Sequence, residues 1–539
     1  MFPAPVLDAL RISPSRTAIE HGGREITRGD LLTAVARIAT GLRAAGLGPG
    51  KGVAMMTSTS PDAYAAHLAA HALGCRVAAF RPRWSADQIA HALAYQFDAL
   101  IVDPGTHAAY LKVPNPDSGP RMGDPGVRST DLKVPSPDSG PRMGDPGVRS
   151  TDLKVPDLDA RLGDLRVPVL DTAKLLDHPA DPLTIDARPG DIARLTFTSG
   201  STGQPKGCAQ TYRAFSLAYQ RDDWPPQLAA LMTHFQRCLV HESLASPVMM
   251  TYLGRCLVTG GTAIMTSEPL TPDLIDRHRV TATMMPPPRL HVLLATLHQR
   301  PADLSTLRAV VLGGSPADPG LLTAAMDRLG PIIWQGYGQA EGGVISMLTP
   351  TDITTCPDAL TTVGRPLPTV ELSVRNYDNR PGTPGEIWVR SPHMMTRYWN
   401  DPDQTAEVLQ DGWLHTRDIG YVGPDGLLRL TGRSRDVILV NAEVCYPTAI
   451  ERVLTTHPSV SAAYVTSTPD PTTGDAIHAF VVPTPGHQID NAVLQSLIQS
   501  SLSKAHTPKT ITVLTSVPTT PAGKPDMRAL AALLPLLSP

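Results

Sequence analysis

At 539 residues the chain is too long for one hydrophobic core and calls for about two to four domains or subdomains. Its 42% hydrophobic and 18% charged residues are ordinary for a globular protein, and a formal charge of -3 gives no reason to expect nucleic acid or an anionic membrane surface as a partner. Six cysteines without CxxC or metal-like spacing argue against a disulfide framework and a zinc site, and the absence of a basic-then-apolar leader or of any run near ~18 apolar residues leads to the expectation of a cytoplasmic protein with reduced thiols and no membrane span.

Leu31 to Ala45 spaces apolar residues at helical intervals and ends before Gly46, a plausible cap. Val53 to Thr57 reads as a strand, Asp62 to Leu73 as an Ala-rich helix, Arg76 to Phe80 as a strand, Ser85 to Tyr95 as a helix and Ala99 to Val102 as a strand. Such alternation implies βαβ units and a mostly parallel sheet. Leu111 to Asp131 then recurs as Leu132 to Asp152 with one change, Asn115 against Ser136, and LKVP begins a third time at Leu153. A unit this rich in Pro, Gly, Asp and Ser has no apolar face to stack, so residues 111–156 read as a duplicated, disordered surface insert.

The next stretch, Thr196 to Gly207 (TFTSGSTGQPKG), holds five hydroxyl side chains, three glycines and one lysine. Glycines permit close backbone approach, hydroxyls and freed N–H groups donate, and Lys206 adds charge, so the stretch suits a polyphosphate, with Ile192 to Phe197 as a strand feeding it. It is not a Walker loop, because Pro205 precedes the lysine where that motif requires glycine. Further on, a helix is expected over Leu228 to His241, strands at Ala263 to Met265, Ala282 to Met285 and Arg308 to Leu312, and helices at Asp273 to His278 and Leu290 to Leu297. Beyond Glu371 short alternating strands take over, and a final α/β piece from Asp436 carries helices near Pro447 to Thr455 and Asn491 to Lys504.

Six ordered segments carry a resemblance over nearly the whole chain apart from the insert. They are Thr198 to Gly207, Gly313-Gly314-Ser315-Pro316, Tyr337-Gly338-Gln339-Ala340-Glu341, Gly385 to Thr405, Gly412 to Asp436 and Pro518 to Lys524. In this the chain resembles the adenylate-forming superfamily of acyl-CoA synthetases, peptide-synthetase adenylation domains and luciferases. The resemblance implies an α/β fold: a large N-terminal domain, 1–435, of βαβ subdomains with a small β-barrel-like part, then a small mobile α+β domain, 436–539. It also implies an enzyme that makes an acyl-AMP from a carboxylic acid and ATP with Mg²⁺, releasing pyrophosphate.

Carried over residue by residue, Thr198, Ser199, Gly200, Ser201, Thr202, Gly203 and Lys206 would cover the β- and γ-phosphates, with Lys206 assisting. Gly313, Gly314, Ser315, Tyr337, Gly338 and Gln339 would surround the nucleotide, Tyr337 stacking on the base. Asp418 would accept from the ribose hydroxyls, Arg433 would donate at ribose or phosphate, and Glu341 would hold Mg²⁺. Lys524 would be the catalytic cation at the α-phosphate, Asp436 the hinge, and His241 a residue near the acyl group, with Met249 and Met250 beside the acid's pocket.

Four positions depart from the family pattern. Ala340 replaces a threonine, Arg417 replaces the glycine of Thr-Gly-Asp and adds a bulky cation next to the nucleotide, and Asn441-Ala442 replace a glycine pair that walls the pantetheine channel. Three readings follow. The first transfers the acyl group to a thiol, most simply CoA; the second transfers it to an amine; the third is a nucleotide-binding protein without turnover, suggested by Ala340.

Overall fold

The structure is a computed structural model and describes residues 1–81, 84, 86–104, 106, 167–199, 205–315, 317–356, 358–376, 382–433, 438–440, 443–470, 472–520 and 524–534. The tandem repeat at 111–156, Gly200 to Gly203, Asp436 and Asn441-Ala442 lie outside the described residues.

Strand Gly52–Met56 shows how the sequence sets the architecture. All five residues are buried, Val53 and Met55 in one apolar core and Ala54 and Met56 in another, because successive side chains of a strand point to opposite faces. A run apolar at every position therefore belongs inside a sheet covered on both sides. That sheet has seven strands in the order Arg397–Tyr398, Pro205–Thr211, Ile192–Ser199, Arg76–Ala79, Gly52–Met56, Ala99–Val102 and Val169–Asp171. Its central pairings are parallel, and the pairs made by Pro205–Thr211 are antiparallel.

A second sheet of nine strands runs Arg365–Pro366, Gly343–Leu348, Ile333–Gln339, Ala309–Leu312, Ala282–Met285, Arg237–Val240, Thr262–Met265, Thr17–His21 and Arg24–Thr27. One core joins the two sheets through helices Arg28–Ala44, Pro61–Ala72 and Pro247–Val258. In the first of these Leu31, Val35, Ile38 and Leu42 repeat at helical spacing, and Thr27 with Asp30 forms a capping box at its start. Helix Pro61–Ala72 is buried from Ala63 to Ala72, with alanine at most positions, so it lies close against its neighbours.

The expected helix over Leu228 to His241 is corrected. A helix spans only Pro226–Met232, and Arg237–Val240 is a strand flanked by parallel partners, its Cys238, Leu239 and Val240 fully buried. A short apolar run does not distinguish a buried strand from a helix by period, and here tertiary pairing decides. Likewise Trp334 to Gly343 forms an antiparallel hairpin of Ile333–Gln339 with Gly343–Leu348.

Beyond Glu371 a five-stranded antiparallel sheet comprises Glu371–Arg375, Gly385–Arg390, Trp413–Val422, Leu409–Gln410 and Leu428–Arg433. The C-terminal part has its own core around Val465, Ile477, Leu494 and Ile498. Its helix Pro447–Thr455 packs on strand Leu428–Arg433, where Arg452 Nη2 donates to the Leu430 carbonyl at 2.8 Å. All six cysteines are free thiols, and among the described residues no helix is long and apolar enough to cross a membrane.

Candidate active site

Strands Ala309–Leu312 and Ile333–Gln339 run parallel in register, Leu312 opposite Gln335, and the chain turns at Gly313-Gly314 just past the first strand's carboxyl end. Ligands of open α/β sheets bind outside such ends. Gly314 has φ +87°, a conformation that costs a side chain about 1–2 kcal/mol. Gly338 permits the hairpin, since a Cβ there would fall 2.2 Å from the Gly343 carbonyl oxygen. Tyr337 is thereby held beside the Gly313-Gly314 turn, and the buried Gln339 Nε2 on the same strand lacks a hydrogen-bond partner among the described residues, a donor available to a ligand.

Asp418 faces this hairpin from strand Trp413–Val422, directly opposite Arg433. It is 3% exposed, and its carboxylate accepts from Tyr337 Oη at 2.5 Å and from Arg433 Nε at 2.8 Å. Burial, and then Asp418, push the Tyr337 phenol well above its ordinary pKa, so it stays a donor. The neighbouring Arg417 guanidinium, expected next to the nucleotide, ion-pairs with Glu407 at 2.6 Å.

Glu341 sits in the hairpin turn. Its carbonyl accepts from Met395 N at 2.8 Å and its Oε1 from Tyr398 Oη at 2.8 Å. Burial, then Glu341, push the Cys208 thiol upward, so a neutral thiol lies beside this carboxylate. Among the described residues no cluster of three or more His, Cys, Asp and Glu could hold a metal. A single carboxylate with one oxygen uncommitted to Tyr398 does fit Mg²⁺, which is commonly bound by one or two carboxylates plus substrate phosphates.

Lys524 reaches this place from the far end of the chain. Its Cε lies 3.9 Å from where a Cβ on Gly314 would stand. The side chain keeps contact with solvent at the mouth of the cleft while protein surrounds the amine, whose pKa is lowered by desolvation first and by Arg433 and Arg81 next, with Glu341 opposing. Thr198 is paired with Lys206 and Ser199 with Pro205 across the two strands that lead into and out of 200–204, and the Lys206 ammonium donates to Gln404 Oε1. His241 follows strand Arg237–Val240, and its Nε2–H donates to the Met284 carbonyl at 3.1 Å, leaving Nδ1 as an acceptor. Burial brings its pKa down to about 4, the Met284 bond opposing and Arg289 assisting, so it is neutral at pH 7. Met249 and Met250 are core residues of helix Pro247–Val258.

Lys524, Glu341, Tyr337, Asp418 and Arg433 thus converge around Gly313-Gly314. The sequence reading missed Tyr398, Gln404 and Arg81, which touch or polarise these groups from distant segments; the pattern YWNDPDQT at Tyr398 to Thr405 was the available signal for the first two.

The description "AMP-binding enzyme" matches residues 8–399, and "AMP-binding enzyme C-terminal domain" matches residues 449–524. This chain belongs to the AMP-binding enzyme family. A feruloyl-CoA synthase of Amycolatopsis sp is 31% identical over 529 residues, 95% of each chain. The amide bond synthetase McbA of Marinactinospora thermotolerans is 32% identical with a TM-score of 0.81, covering 99% of this chain and 100% of that one. An O-succinylbenzoate coenzyme A synthetase of Bacillus subtilis, solved with ATP and magnesium, shares the fold at 23% identity, a TM-score of 0.75 and coverage of 96% and 97%. The AMP-binding enzyme described here is an AMP-forming acid ligase, as both the family and these relatives indicate.

Proposed function

We propose that the protein activates a small carboxylic acid with ATP and Mg²⁺ and passes the acyl group to the thiol of coenzyme A. The acid's carboxylate attacks the α-phosphorus, the bond to the bridging oxygen of the β-phosphate breaks, and pyrophosphate leaves with the electron pair. The observation that supports this most directly is Lys524 standing over Gly313-Gly314, where its ammonium can neutralise charge gathering on the α-phosphate. Tyr337 offers its ring to the base; Asp418, oriented by Tyr337 and Arg433, accepts from ribose hydroxyls. Glu341 would hold Mg²⁺, which offsets phosphate charge when bound. Lys206 and the 198–203 stretch attend the β- and γ-phosphates, and His241, neutral and with Nδ1 an acceptor, lies toward the acyl group.

A second reading sends the acyl group to an amine. Favouring it are the likeness to an amide bond synthetase over 99% of this chain and Asn441-Ala442 in place of a glycine pair. Pyrophosphate exchange with a panel of acids tests the first half-reaction: Lys524→Ala should lower forward adenylation ~10²-fold or more. Near-normal acyl-AMP formation in that variant would sink the mechanism. Product masses with CoA or with amines then decide the acceptor, and CoA-independent amide would put the second reading first.

A further inference from the structure

Between helix Pro61–Ala72 and the seven-stranded sheet lies a cavity of about 50 Å³ that no step above uses. At ~10–15 Å³ per water it has room for roughly three or four heavy atoms, one end group of a ligand rather than a whole substrate. Its charged and titratable lining is entirely basic: Arg194, Arg81, and His67 and His71, one turn apart on the helix.

Arg194 Nε donates to Gln210 Oε1 at 2.8 Å and its Cζ lies 4.5 Å from the Phe215 ring centroid. Its two Nη atoms have no hydrogen-bond or ion-pair partner among the described residues. His67 is 3% exposed, and its Nε2 is buried without a partner among the described residues. Burial brings the His67 pKa to about 4 and that of His71 well below its ordinary value, so both imidazoles are neutral near pH 7, each keeping one N–H, and the positive charge is arginine's. A guanidinium and an orphaned imidazole facing one space are costly unless something accepts from them. A carboxylate does so with two parallel bonds from the guanidinium.

Arg81 links the cavity electrostatically to the candidate site. Leu244 and Pro247, just beyond His241, wall one side, and Arg81 both lines it and acts electrostatically on Glu242 and Lys524. We infer that this cavity binds a carboxylate carried by one of the two organic substrates, either a second carboxylate on the acid or the carboxylate of an amino-acid-type acceptor. The inference rests on the ligase reading.

Matched pairs test it. In one arm dicarboxylic acids such as terephthalic acid are compared with their monoamides by pyrophosphate release; in the other, aminobenzoates are compared with aminobenzamides as acceptors by product mass. The wild type should favour the carboxylate-bearing member in one arm ~10-fold or more in kcat/KM, mostly through KM, and that arm identifies the source. Arg194→Gln should bring the ratio toward one. No preference in either arm, or a ratio unchanged in Arg194→Gln, overturns the inference. If that variant does not fold, the wild-type ratios decide, with His67→Phe as a second variant expected to lower the same ratio. Release of pyrophosphate without a carboxylate preference defeats this inference alone, whereas no release with any acid defeats the ligase reading and this inference with it.

Discussion

Arg417 holds φ at +64°, the left-handed region in which a non-glycine residue costs about 1–2 kcal/mol, and it stands beside the buried Asp418. Its ion pair with Glu407 offsets part of that cost. Two substitutions separate the terms: Arg417→Ala loses the pair and keeps the strain, while Arg417→Gly loses the pair and the strain together. The glycine variant should therefore be more stable than the alanine variant by about 1 kcal/mol in denaturant titrations. Lys524 gives a second prediction. Desolvation, Arg433 and Arg81 favour its neutral form, and only the ammonium can neutralise phosphate. Adenylation should thus decline on the alkaline side below the ordinary lysine value of ~10.4. Arg433→Met removes the largest like charge, so its weaker activity should decline at a higher pH, as pyrophosphate exchange from pH 7 to 10.5 would register.

At the scale of elements, the segment from strand Arg397–Tyr398 through helix Pro402–Val408 ties the charged groups of the cleft together. Tyr398 donates to Glu341, Gln404 accepts from Lys206, and Glu407 pairs with Arg417. Tyr398→Phe leaves the Glu341 carboxylate without its orienting donor, and the Mg²⁺ concentration for half-maximal adenylation should rise ~10-fold or more, in keeping with a bond worth ~1.5–3 kcal/mol to a charged group. An unchanged Mg²⁺ dependence would assign Tyr398 to packing alone. These ties were not legible in the sequence, because nothing local at Tyr398 or Gln404 says which distant strand they meet. That Tyr337, Glu341, Asp418 and Lys524 would come together was legible, since each sits in one of the ordered segments that carry the resemblance. Elements followed the same division: helix Pro61–Ala72 lies within one residue at each end of its expected span, whereas Arg237–Val240 took its strand form from flanking strands that the apolar run alone does not reveal.

Taken whole, the molecule buries several imidazoles that must stay neutral. His67, His241 and His393 are each brought down to about 4, chiefly by desolvation. An unfolded chain takes up these protons as the pH falls through the ordinary histidine value of ~6.5, while the native protein does not until about pH 4. Native stability is therefore full above ~6.5 and should be lost progressively toward pH 4, by an order of a few kcal/mol, measurable as a falling urea midpoint between pH 7 and pH 5. One of these imidazoles belongs to the alanine-rich helix Pro61–Ala72, buried among both sheets. That helix is a spacer whose thickness is set by methyl groups, so the gap it holds open would fix how far the basic-lined end of the proposed carboxylate pocket stands from the phosphate cleft. With a substrate carboxylate in that cavity, substrate length would be governed by helix alanines that do not line it.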